Sequence, residues 1–176
     1  GDEALPIIYR VVRDFDGGSF ANRRVIATQH GAPILNMIAS FQRPEDGLSH
    51  QDTMPEAPAP ETLKSEFELR GEIEAQVPEK FRAYFLRPRP IEIRPCAPRN
   101  WISPTQARPL QHSWFRAAKP LPDDAALHRA VLAYASDMLL LGTALLPHGV
   151  GWATPKLQTA SLDHALWLHE PFRADE

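Results

Sequence analysis

The feature that most constrains this chain is a long helical run that is apolar on every side. Pro122-Asp123-Asp124 reads as a helix start with acids at its N-terminal end, and Pro147 with Gly149 stops the run roughly 24 residues later. Leu127, Val131, Tyr134, Met138, Leu141 and Leu145 recur at helical spacing, while Ala130, Ala133, Leu140 and Ala144 make the opposite side apolar as well. A helix of this kind is predicted to be buried and to need cover on more than one side. Asp137 lies within it. An unpaired buried charge costs several kcal/mol, roughly, so this carboxylate should be paired, protonated or used in chemistry.

The cover should come from strands. Residues 7–41 read as a three-stranded antiparallel meander, with turns at Asp16-Gly17-Gly18 and His30-Gly31 supplying positive φ. Between Pro44 and about Pro78 prolines and acidic residues accumulate, which reads as an extended linker, with a short polar helix at 61–76 interrupted by Gly71. Beyond it, "RPIEIRPCA" and "QHSWFRAA" read as two further short strands, the second around Trp114 and Phe115. The last stretch, "LQTASLDHALWLHEPF", alternates. Ala160, Leu162, His164, Leu166 and Leu168 would line one strand face, and Ser161, Asp163, Ala165, Trp167 and His169 the other.

Composition narrows the function classes. The 176 residues are 43% hydrophobic with a net charge of −3, which carries no electrostatic footprint for nucleic acid. The longest apolar run, Met138 to Leu146, is shorter than the ~20 residues that span a bilayer, so no membrane partner is expected. Cys96 is the only cysteine and no leader is evident, making a cytoplasmic setting the expectation. His164 and His169 would face opposite ways along a strand, and no HExxH or Cys/His cluster occurs, so no metal or other cofactor is expected. No GxSxG elbow is present either. Arg82, Arg87, Arg89, Arg94 and Arg99 form either a phosphate-contacting group or, on the pattern of prolines and alternation, a solvated face.

Four stretches together carry a resemblance: "PIIYRVVRDFDGGSFANRRVIATQHGAPILNMIASFQ", "HQDTMPEAPAPETLKSE", "LAYASDMLLLGTALLPHG" and "ASLDHALWLHEPFR". Read in this order, over nearly the whole length, the chain resembles the acyl-CoA thioesterase II family. The resemblance implies an α+β hotdog fold, an antiparallel sheet wrapped around a long central helix, in a double-hotdog arrangement incomplete at both ends. Residues 1–44 would be the C-terminal strands of the first hotdog, 45–78 a linker, and 79–176 the N-terminal strands and central helix of the second. It also implies hydrolysis of fatty acyl-CoA by a water held among an aspartate, a hydroxyl and a glutamine. The first two match Asp137 and Ser161; the glutamine belongs to a later strand with no counterpart before Glu176.

The residues by themselves are consistent with that chemistry. A carboxylate can take a proton from water, and a hydroxyl can orient that water. No basic residue stands three or four positions from Asp137 along the helix, so burial would raise its proton affinity. Asp163, on the strand face of Ser161, is a rival base with a solvated reading of its own. The expected partners are acyl-CoA and further copies of the chain, since the half-hotdogs would leave strand edges unpaired. The alternative is a non-catalytic acyl-binding or assembly module.

Overall fold

In the computed structural model, which describes residues 2–151 and 154–176, the chain divides into two compact units, Gly1–Thr53 and Met54–Glu176. The first is an antiparallel meander of β1 (Ile8–Asp16), β2 (Phe20–Gln29) and β3 (Ala32–Gln42), in spatial order β1-β2-β3. The β2–β3 turn adopts the left-handed conformation expected of it, with His30 at φ 51° and Gly31 at φ 75°. The β1–β2 turn does not. Neither Gly17 nor Gly18 takes positive φ there. At Gly17 a Cβ would stand 2.7 Å from the exposed ring of Phe15, which would have to move aside. The register places Tyr9, Ala27 and Leu35 abreast, and beside them Val11, Val25 and Met37, giving the sheet one apolar face.

The second unit begins with two short helices, α1 (Glu66–Glu72) and α2 (Glu79–Phe85). Ser65 opens α1 with a capping box: its hydroxyl accepts from the Glu68 N–H, and the Glu68 carboxylate accepts from the Ser65 N–H. Gly71 lies inside this helix and does not interrupt it. Then follow β4 (Ile91–Pro95) and β5 (Ser113–Ala117), paired antiparallel with Ile93 opposite Phe115.

The long helix is present but broken. It consists of α3 (Ala125–Ser136), a turn at residues 137–139, and α4 (Leu140–Leu145), ending in a 3-10 turn closed by Gly149 at φ 62°. Asp124 caps the start, accepting from the N–H groups of Ala126 and Leu127. At the break the Ser136 hydroxyl donates back to the Ala133 carbonyl at 2.9 Å, offering the backbone an alternative to the next helical bond. α3 packs on the sheet through Ala135, which joins Ile91 and Ile93 in a core flanked by Val131, Met138 and Leu139. Only one side is covered. Tyr134 is 59% exposed, contrary to a helix buried all round, because a two-stranded sheet can screen one face of a cylinder and no more. Taken as one segment, Ala125–His148 is long and apolar enough to cross a membrane by length and composition, so the shortness of its uninterrupted apolar run does not exclude that.

The expected final strand is not formed. Residues 158–170 have no ladder partner among the described residues, and alternation specifies faces without supplying a neighbouring strand to bond to.

Further on, the chain is clamped. The Ala117 N–H donates to the Ala174 carbonyl, the Ala174 N–H donates to Nδ1 of buried His128 at 3.0 Å, and Asp175 Oδ2 accepts from the Leu121 N–H at 2.7 Å. That last bond, with the Arg173 guanidinium 3.2 Å away, holds the Asp175 carboxyl below the ordinary aspartate value of 3.8. With the folded-state value depressed, the contribution to stability is complete above the unfolded value and is lost as the pH falls through the folded one. Thermal melts should therefore show Asp175→Asn less stable than the parent near neutral pH. The gap should close on acidification towards about pH 3, and a gap independent of pH would contradict the assignment.

Candidate active site

Asp137 is the C-cap of α3, where the helix stops and the chain turns. The break lets its carboxylate face the distal segment rather than the helix's own surface. Ser161 reaches it from that segment, its hydroxyl 3.0 Å from Oδ1 and 3.1 Å from Oδ2. The two residues singled out from the sequence, 24 positions apart, are thus brought into direct contact. The burial expected for Asp137 is not found in this chain. Its side chain is 47% exposed, because neither the helix break nor the short sheet covers it.

Two further side chains complete the cluster. Ser136 Oγ lies 2.8 Å from His164 Nε2, and His164 Nδ1 lies 4.0 Å from Asp137 Oδ1. The sequence points to neither as part of this site, His164 having been weighed only as a metal ligand. A search for partners at helical spacing sees only Asp137's own helix, and treating 160–169 as a strand puts His164 on the face opposite Ser161. Without a ladder the period of two does not hold, and both residues reach the same helix end. Asp163, the rival base, is exposed and forms no hydrogen bond or ion pair with the described residues.

The arginines have partly structural work. Arg94 donates from Nε to Glu92 at 2.6 Å, and from Nη1 to the carbonyls of Pro60 and Leu63. Arg99 donates to the Gly142 carbonyl at 3.0 Å, and a Cβ on Gly142 would collide with its guanidinium. These two therefore belong neither to a solvated face nor to a free phosphate contact. Arg70, which the sequence did not flag, is buried against the rings of Phe85 and Trp101 and paired with Glu66. Among the described residues no group of three or more His, Cys, Asp or Glu side chains gathers as a metal site.

A helix laid on an antiparallel sheet, ending in a carboxylate that a hydroxyl contacts, defines an α+β protein with a site suited to activating water. The family model described as acyl-CoA thioesterase matches residues 82–176. The acyl-CoA thioesterase 2 of Haemophilus influenzae is 37% identical over 172 residues, covering 98% of this chain and 60% of that protein. The human acyl-coenzyme A thioesterase 8 is 38% identical over 183 residues, covering 99% of this chain and 57% of that protein. A solved acyl-CoA thioesterase II from Mycobacterium marinum superposes with a TM-score of 0.74 at 42% identity, covering all of this chain and 60% of that one. The chain belongs to the acyl-CoA thioesterase family, and its fold class is the α+β hotdog. It spans about 60% of the length of the curated relatives it matches.

Proposed function

We propose that the protein hydrolyses fatty acyl-CoA thioesters to the free fatty acid and CoA, with Asp137 as general base and Ser161 as the hydroxyl that orients the water. The observation that carries this reading is the Ser161–Asp137 contact at 3.0 and 3.1 Å, on a carboxylate whose side chain is exposed enough to meet water. The water oxygen attacks the thioester carbonyl carbon while one of its protons passes to Asp137. Collapse of the tetrahedral intermediate breaks the C–S bond, and the departing thiolate takes up the proton. No covalent enzyme intermediate is needed, and no cofactor enters the balance.

The same reading places the protein in fatty acid metabolism, in the cytoplasm, as a homo-oligomer that needs neither membrane nor nucleic acid. The single cysteine is in keeping with a reducing compartment. The apolar face of the meander, where Tyr9 and Val11 are 62% and 60% exposed, favours association between copies.

Thiol release over a panel of acyl chain lengths tests the activity directly. Ser161→Ala should lower the rate while leaving substrate affinity close to the parent's, and Ser161→Thr should be tolerated because the hydroxyl is kept. Binding of acyl-CoA without any release of CoA would instead identify a non-catalytic acyl-binding module.

A further inference from the structure

Among the described residues, segment 158–172 makes all its hydrogen bonds and ion pairs to the rest of the chain through two side chains, Ser161 and His164. Both end at the C-terminus of α3. With no backbone ladder along this stretch, the position of Ser161 depends on whatever else ties the segment down. The tie is His164. Ser136 Oγ lies 2.9 Å from the Ala133 carbonyl and 2.8 Å from His164 Nε2, so hydroxyl and imidazole are joined by a hydrogen bond whose donor follows the imidazole tautomer. Nδ1 is then turned towards Asp137, at 4.0 Å.

The geometry points to His164 as a positioning residue of this site: by its bond to Ser136 it pins the segment to the helix end, and so keeps the Ser161 hydroxyl on both oxygens of Asp137. The inference rests on the hydrolytic reading above for its consequence on rate, though not for its geometry. Ser136, Asp137, Ser161 and His164 form a closed circuit across two pieces of chain. Removing the imidazole leaves the Ser161–Asp137 contact as the segment's remaining side-chain hydrogen bond to the helix end among the described residues, and small misplacements of a water-orienting group are costly to the chemical step.

In the protein, His164→Ala should lower kcat about tenfold or more with KM little changed, since the displaced group acts on the water and not on acyl-CoA. His164→Gln should restore most of the loss, because a glutamine amide nitrogen reaches the position of Nε2. In a Ser161→Ala background, His164→Ala should cost little more, because its effect passes through Ser161. The carbon resonance of the Asp137 carboxyl, which senses the Ser161 bond with or without turnover, should shift in His164→Ala and return in His164→Gln. Full kcat in a folded His164→Ala variant, additive losses in the double variant, or an unmoved carboxyl resonance would each overturn the proposal. A parent that releases no CoA would overturn the hydrolytic reading alone, leaving the carboxyl resonance to decide the positioning.

Discussion

Asp137→Asn is expected to reduce thioester hydrolysis by roughly 10²- to 10⁴-fold, the range typical of losing a general base. The amide keeps the shape of the side chain and can still accept the Ser161 hydroxyl through its remaining oxygen. It cannot take a proton from water. With the native side chain 47% exposed and placed at a helix end, the exchange removes no packing, so the melting temperature should stay close to the parent's. The two readouts separate the explanations. Unchanged turnover with a shifted melting temperature would make the carboxylate a structural cap, and the mechanism proposed for it would fall.

The second large effect lies in the scaffold. Ile93 is 4% exposed and shares its core with Ile91 and Ala135, against Val131, Met138 and Leu139 of the helix and its turn. Ile93→Ala should cost about 2–5 kcal/mol, the sum of lost transfer free energy and the cavity that remains. Urea unfolding would measure it. Because this contact sets where α3 ends relative to the sheet, activity in the variant should fall in step with the folded fraction. A loss below about 0.5 kcal/mol would mean that the helix does not depend on β4 for its place.

Much of the local structure was legible in the residues because local rules decide it. His30-Gly31 permits the positive φ of a tight turn, Asp124 satisfies the first helical N–H groups, and Ile91 and Ile93 alternate as a half-buried strand does. The candidate site was half legible. Asp137 drew attention as a charge in an apolar run, whereas Ser161 was indistinguishable from a small polar filler until the family resemblance singled it out. His164 and Ser136 escaped both arguments.

The sequence by itself determined where chain direction changes, which stretches are helical or extended in tendency, and that a carboxylate interrupts the apolar helix. These follow from backbone sterics, capping and side-chain periodicity within a few residues. Only the tertiary structure decided that the helix stops at Ser136, that the alternating stretch 160–169 forms no ladder with the described residues, and that Ser161 and His164 converge on one helix end. A strand exists only when another strand accepts its hydrogen bonds, and a site exists only when distant segments are held against each other. Both depend on contacts between residues far apart in the chain, the Ser161 bond to Asp137 across 24 positions among them, which no local pattern encodes.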